Sequence, residues 1–166
     1  MFYPIGLNLA YYTLTVLNAV TALPLTLNLG VVAASNLHML FTFVVAGYGT
    51  FLLVKYQLTI INYQLPITNY QLLITNYHSL LIPALAGLFY AFASSKLFYI
   101  ALGQFNIGSS QWVPFAVLYL LRMHHRPDRL KSAVMAGLFL TLQAWAELTY
   151  ASFLLVFIGL YWLYWL

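Results

Sequence analysis

The chain has 166 residues, of which 64% are hydrophobic and only 5% are charged. So few charges cannot cover a water-soluble domain, and the six Lys and Arg residues form no basic stripe of the kind that binds nucleic acid. The lack of cysteine excludes disulfides and thiolate chemistry. We therefore predict an all-α, polytopic transmembrane protein, a single domain over residues 1–166 with about four to six membrane-associated helices.

The N-terminal stretch is apolar but carries a polar stripe. The stripe residues recur at steps of three and four and so share one helical face; they are Asn8, Tyr11, Thr15 and Asn18. A turn is predicted at Asn28 to Gly30. This pattern favours an interfacial or re-entrant helix that ends in the turn, with an ordinary span as the alternative.

The next stretch, Val31 to Lys55, is the cleanest predicted span. It measures about 37 Å at 1.5 Å per residue, which is enough to cross a bilayer with some tilt. Lys55 marks the cytoplasmic end by the positive-inside rule. Ala46, Gly47 and Gly49 form a small-residue face suited to close helix packing.

Three near-identical heptads follow, Tyr56–Asn62, Tyr63–Asn69 and Tyr70–Asn76. Apolar and polar residues alternate within each heptad. Because the period of seven is odd, the apolar residues of each repeat fall on the opposite face from those of the repeat before it. No continuous apolar face therefore forms, and we predict an irregular tandem-repeat insertion at 56–79 within a cytoplasmic loop. A functional repeat is the alternative.

The stretch from Leu80 to about Ile100 is apolar again, but Ser94 to Lys96 interrupts it. We expect a span over Leu80–Ala93 with a flexed end. A polar stretch, Gly103 to Gln111, precedes a short apolar helix from Trp112 to Met123.

A basic run at 122–131 then anchors the chain in the cytoplasm. The remaining stretch, Ser132 to Leu166, would be about 52 Å long as one helix, well beyond a hydrocarbon core of about 30 Å. We predict a tight reversal at Ala146–Thr149, which contains the only polar interruption. Aromatic residues from Tyr161 to Trp165 form a belt at the far end.

This topology gathers polar groups on the side opposite Lys55 and the basic run. The gathered residues are Asn28, Lys96, Gln104, Asn106, Gln111, Trp112, Glu147 and Tyr150. We take this side as the candidate functional side.

Several short elements resemble bacterial polytopic glycosyltransferases of the GT-C class, which use polyprenyl-phosphate sugars. The most specific is Gln111-Trp112-Val113-Pro114 with a trailing Arg122; weaker marks include Tyr3 to Gly6, Pro24-Leu25, Ala86-Gly87 and Gln143 with Tyr150-Ala151. The resemblance covers roughly residues 3–55 and 80–160. It implies sugar transfer from a polyprenyl-phosphate donor on the extracytoplasmic face of the bacterial cytoplasmic membrane, and it allows for a divalent metal.

The chain departs from that class in two respects. The class tends to have Pro and His around the stretch that is Ser94-Ser95-Lys96 and Gly103-Gln104 in this chain. The acidic residue of the first extracytoplasmic loop, which acts there as base or metal ligand, has no counterpart, because no Asp or Glu precedes Asp128. The resemblance therefore implies an N-terminally truncated segment that is inactive alone. The alternative is a small non-catalytic membrane protein that packs with partner helices. A transporter-like fragment is disfavoured because paired intramembrane charges are lacking.

The candidate catalytic residue is Glu147, since an intramembrane carboxylate is a functional hypothesis by default. Its alternative is an interfacial carboxylate hydrogen-bonded to Thr149 or Tyr150. Candidate substrate-binding residues are Lys96, Gln104, Gln111, Trp112 and Tyr150. Lys96 either binds a lipid phosphate or snorkels to the headgroups.

Trp112 either stacks on a sugar or anchors the chain at the interface. His124 and His125 lack further ligands, so no metal site is predicted. Asp128 is expected to pair with Arg126 or Arg129 in the loop. The predicted partners are the lipid bilayer, a polyprenyl-phosphate sugar and other membrane helices, with no nucleic acid.

Overall fold

The computed structural model describes residues 15–64, 79–125 and 129–165. All regular secondary structure in these ranges is helical, which confirms the predicted all-α class. The helices are α1 (Val16–Leu29), α2 (Val31–Gln64), α3 (Ser79–Ala91), α4 (Ser94–Ala101), α5 (Phe105–Gly108), α6 (Val113–His125), α7 (Arg129–Ala146) and α8 (Leu148–Trp165).

Three described stretches are long and apolar enough to cross a membrane: Val31–Ile61 in α2, Leu80–Ala101 across α3 and α4, and Leu148–Trp165 in α8. The polytopic membrane architecture is thus as predicted. Only 11% of the α8 window is buried inside the protein. Most of its apolar surface is therefore available to lipid or to other helices.

The first two helices are joined by a turn at a single glycine. Gly30 has φ of 79°, a left-handed conformation that side-chain-bearing residues rarely adopt, and its N–H donates to the Thr26 carbonyl at 3.1 Å. With 14 residues, α1 is about 21 Å long, too short to cross a hydrocarbon core of about 30 Å. The described part of this segment is thus a short helix ending in a turn, as expected; residues 1–14 lie outside the described residues.

The middle of the bundle is an antiparallel crossing of α2 and α3 at two glycines. A Cβ added to Gly87 would lie 2.6 Å from the Gly47 carbonyl oxygen, so the two backbones are in direct contact. Close by, the rings of Phe43 and Phe92 stack at 5.3 Å. This confirms the close helix packing predicted for the small-residue face of α2, where a Cβ on Gly47 would itself lie 3.3 Å from the Gly87 carbonyl oxygen.

The end of α2 differs from the sequence expectation. The helix does not stop near Lys55 but runs on to Gln64, so the first repeat, Tyr56–Asn62, is helical. The prediction of irregular structure was wrong for this repeat. Adding a residue to an existing helix gains a hydrogen bond without a new nucleation step, and the buried Tyr56 gives the extension one anchor without any continuous apolar face. Residues 65–78 of the predicted insertion lie outside the described residues.

Both predicted breaks are present. The first falls at Phe92 and Ala93, just before the Ser94–Lys96 interruption. The second is a single non-helical residue, Glu147, between α7 and α8. Trp165 at the end of α8 lies 4.0 Å, ring to ring, from His124, so α8 returns to the end of the bundle from which α7 starts. The predicted reversal is confirmed.

An aromatic row joins α6 to α7. Phe139 of α7 stacks on Phe115 at 4.9 Å, on Tyr119 at 5.6 Å and on Trp112 at 6.0 Å. This packing fixes the register of the two helices. We call the end around Ser109–Trp112 the polar end, and the end that carries Lys55, Arg122, His124 and Arg129 the basic end.

Candidate functional site

The polar end is built around the buried connection Ser109–Trp112 between α5 and α6. Ser109 is fully buried and Gln111 is 1% exposed. A non-helical backbone at membrane depth is tolerated only where its polar groups find protein or water partners. Side chains from four other helices supply partners to this connection and to the α5 backbone beside it.

Gln143 of α7 makes two of the bonds that hold the connection. Its Nε2 donates to the Ser109 carbonyl at 2.7 Å, and its Oε1 accepts from the Trp112 N–H at 3.2 Å. The side chain is fully buried. One amide thus bridges both ends of the connection.

Asn18 of α1 contributes from the opposite side. Its Nδ2 donates to the Ser109 hydroxyl at 2.6 Å, and that hydroxyl donates onward to the Phe105 carbonyl at 2.9 Å. A longer bond, 3.5 Å, runs from Gln111 Nε2 to Asn18 Oδ1. The buried Asn18 therefore ties the first described helix to the connection.

Two tyrosines complete the arrangement. The Tyr90 hydroxyl of α3 donates to the Ser110 carbonyl at 3.0 Å, and the Tyr150 hydroxyl of α8 donates to the Ile107 carbonyl at 2.8 Å. Helices α1, α3, α7 and α8 therefore all converge on the segment from Ile107 to Trp112.

Glu147 lies at the tip of the α7–α8 hairpin and is 2% exposed. Its Oε1 accepts from the Thr149 hydroxyl at 2.8 Å and from the Thr149 N–H at 3.4 Å, so it caps the N-terminus of α8. Its Oε2 is buried and has no hydrogen-bond partner among the described residues. The alternative that Glu147 is a carboxylate hydrogen-bonded to Thr149 therefore explains the position of Oε1 but not that of Oε2.

Lys96 is buried in α4, with only 5% of the residue exposed. Its ammonium lies over the Phe43 ring, 5.1 Å from the centroid, and has no hydrogen bond within the described part of the chain. It contacts neither the Ser109–Trp112 connection nor Glu147 through any hydrogen bond. Snorkelling to the headgroups does not describe this geometry, since the ammonium is covered by protein.

Two further residues that were predicted on this side have exposed side chains. The side chains of Gln104 and Asn28 are exposed. The Gln104 N–H donates to the Tyr99 carbonyl, and Asn28 Nδ2 donates to the Pro24 carbonyl. The structure thus places Gln111, Trp112, Glu147 and Tyr150 at the same end of the bundle. The side chains of Glu147, Gln104 and Asn28 make no hydrogen bond to the Ser109–Trp112 connection within the described residues.

A cavity of about 410 Å³ adjoins the connection, between α1, α2, the start of α6 and the C-terminal part of α7. Its polar lining residues are Asn18, Thr21, His38, Gln111 and Trp112. His38 was not singled out by the sequence, and Asn18 was noted only as one member of a polar stripe. A polar residue on an otherwise apolar helix was the one available signal for both.

The described residues do not fit a divalent metal. No group of three or more His, Cys, Asp or Glu side chains that could hold one occurs among them. We therefore derive no step through a metal at this site.

No protein-family model matches the chain, and neither a curated protein nor a solved structure is significantly similar to it. The resemblance to GT-C glycosyltransferases therefore stays a prediction from short sequence elements.

Proposed function

We propose that this chain is an integral protein of the bacterial cytoplasmic membrane and a segment of a GT-C-like domain. In this proposal its polar end binds a polyprenyl-phosphate sugar but does not turn it over alone. The observation that supports it is that Gln111, Trp112, Glu147 and Tyr150 lie at the same end of the bundle. That is the extracytoplasmic end in the predicted topology.

The chemistry of this end suits a sugar attached to a lipid phosphate. Amide and indole groups recognise hydroxyls, as in small-molecule sites where a few polar groups stand in apolar walls. The buried Lys96 ammonium has no carboxylate partner within the described ranges, so a phosphate would supply its missing counter-charge. Lys96 would have to leave the Phe43 ring to reach it.

The position of Glu147 does not favour catalysis. A general base must come within hydrogen-bond reach of the proton that it removes. Glu147 is buried and uses one oxygen to cap α8, so its carboxylate has a structural task that competes with proton transfer. We therefore propose donor binding without turnover by this chain alone.

The test is radiolabelled sugar transfer from polyprenyl-phosphate sugars in reconstituted membranes, with the wild type beside Glu147→Gln. We expect no transfer above empty membranes in either, together with measurable retention of the labelled donor by both. Transfer by the wild type that disappears in Glu147→Gln would contradict the proposal and make Glu147 the catalytic base. Failure to retain the donor would also contradict it.

The second candidate is a non-catalytic protein that packs with partner helices. It is favoured by the surface of α8, where Phe153 and Leu160 are 65% and 61% exposed. Because the chain has no cysteine, Phe153→Cys can be cross-linked in native membranes without background. A discrete larger adduct with Phe153→Cys but not with Thr59→Cys, which lies on the far side of the bundle near Lys55, would support this candidate.

A further inference from the structure

Three residues that line the cavity beside the polar end carry buried polar atoms with unmet hydrogen-bonding capacity. His38 Nε2, Gln111 Oε1 and Trp112 Nε1 are buried, and none has a hydrogen-bond partner among the described residues. His38 and Gln111 are 6% and 1% exposed. All three residues line the same cavity.

Leaving such groups unpaired is costly. A buried polar group without a partner destabilises the protein, and more so in hydrocarbon, where no water is at hand. These three atoms belong to residues that line one cavity, so an occupant toward which the side chains turn would supply their missing partners. A cavity of about 410 Å³ falls within the usual volume of small-molecule sites.

The atoms define the chemistry of that occupant. Trp112 Nε1 only donates, Gln111 Oε1 only accepts, and His38 Nε2 does either, according to its tautomer. The occupant must therefore both donate and accept, as hydroxyl groups do. The described residues that line the cavity include no Lys, Arg, Asp or Glu, so no permanently charged side chain there balances a net charge.

The remaining walls indicate where the occupant comes from. They are aliphatic or aromatic, with Leu17, Leu25 and Leu142 among them. At the rim, Leu37 and Phe41 are 43% and 47% exposed and belong to the apolar outer surface of α2. The cavity thus joins a polar interior to a surface that would face acyl chains.

We propose that this cavity binds the uncharged, hydroxylated head group of a membrane lipid, a glycosyl diacylglycerol being the simplest example. Gln111 and Trp112 also belong to the proposed donor site. The inference therefore rests on that function and deepens it by assigning this cavity to the neutral sugar, with the phosphate outside the cavity. It requires no transfer reaction.

The test uses the full chain in phosphatidylcholine nanodiscs with increasing amounts of monoglucosyl diacylglycerol. Thermal unfolding is followed by circular dichroism, and binding is followed by Trp112 emission in a variant that carries Trp145→Phe, Trp162→Phe and Trp165→Phe. We expect saturable changes in both signals. Gln111→Leu should weaken binding about tenfold, the equivalent of one hydrogen bond of about 1.4 kcal/mol.

Two further variants keep the test decisive. Trp112→Phe retains a ring against Phe139 and removes the indole N–H, so it should weaken binding even if Gln111→Leu does not fold. Because this variant lacks the fluorescent probe, its binding is measured from the dependence of the unfolding temperature on glucolipid. Gln57→Leu makes the same chemical change as Gln111→Leu in the far half of α2 and should bind as the wild type does. Equal binding by Trp112→Phe and wild type would overturn the inference.

Other ligands separate the alternatives. Free glucose that saturates the same signals would keep the head-group chemistry but assign it to a soluble source. An equal response to phosphatidic acid, or none to glucolipid and glucose, would overturn the inference. If the protein binds glucolipid but does not retain polyprenyl-phosphate sugar, this inference holds and the proposed function fails. If it retains polyprenyl-phosphate sugar but does not bind glucolipid, the proposed function holds and this inference fails.

Discussion

The two ends of the bundle are held together by different forces. At the polar end, Gln143 and Asn18 fix a buried connection through directed hydrogen bonds between uncharged groups. At the basic end, the Arg122 guanidinium lies over the rings of Tyr56 and Tyr119 at 5.2 and 5.3 Å. His124 likewise lies against the Trp165 ring.

This difference has a physical meaning. A hydrogen bond weakens steeply with angle and distance, so the polar end defines a fixed geometry suited to recognition. A cation over a ring is less directional and contributes about 0.5–2 kcal/mol. The basic end is therefore suited to anchoring the protein and tolerates more variation than the polar end.

The largest effect expected is all-or-none labelling that assigns the two ends to opposite sides of the membrane. The chain has no cysteine, so single cysteines report without background. We expect an impermeant maleimide added outside intact cells to label Gln104→Cys and to leave Thr59→Cys unlabelled until the membrane is permeabilised. Both positions are exposed on the protein surface. The reverse pattern would invert the predicted topology.

The next largest effect is expected for Gln143→Leu. The change leaves the Ser109 carbonyl and the Trp112 N–H unpaired, and each lost bond should cost about 1–3 kcal/mol in the free energy of unfolding. Reversible unfolding in mixed micelles, followed by circular dichroism, measures this. Gln57→Leu is the matched control at the far end and should change the free energy by about 0.5 kcal/mol or less. Equal losses in the two variants would remove the distinction between the ends.

A smaller effect is expected for Arg122→Met, which keeps an apolar stem against Tyr56 and Tyr119 but removes the charge. The free energy of unfolding should fall by about 1 kcal/mol, the scale of a cation over an aromatic ring. Arg129→Met, at an exposed position, serves as the control and should have no measurable effect. A loss as large as that of Gln143→Leu would mean that the basic end is as closely specified as the polar end.

The smallest effect is expected for deletion of one whole repeat, Tyr70–Asn76. The deletion leaves the helical first repeat and its buried Tyr56 in place. We expect insertion, labelling pattern and thermal unfolding temperature to match the wild type. Tyr56→Ala, in contrast, should lower the unfolding temperature because it removes a buried ring. A deletion variant that is degraded or inverted would show that the repeats are structural.

The positions of the helix breaks were predicted from the sequence more accurately than the contacts between side chains. Ser94–Lys96 and Glu147 are polar interruptions in apolar runs, so local hydropathy is enough to locate a break near each. The end of α2 could not be located from local hydropathy. Extending an existing helix is favourable, so the first repeat is helical although its apolar residues alternate as in a strand.

The position of the candidate residues was predicted better than their contacts. Gln111, Trp112, Glu147 and Tyr150 were expected on one side, and they lie at the same end of the bundle. Lys96 lies apart over Phe43, since sharing a side of the membrane does not bring two side chains into contact. The Asn18–Ser109 and Gln143–Ser109 bonds join residues far apart in the chain, and no local pattern reveals such pairs.

The backbone contact between Gly47 and Gly87 has a consequence for how this gene can vary. The crossing of α2 and α3 is set by two glycines that meet through main-chain atoms, so it needs nothing from the tandem repeats that separate them. Closing a longer loop costs free energy only as the logarithm of its length, about 0.6 kcal/mol per doubling. Copy number in the repeat tract can therefore rise or fall by replication slippage while the same two helices meet at the same point.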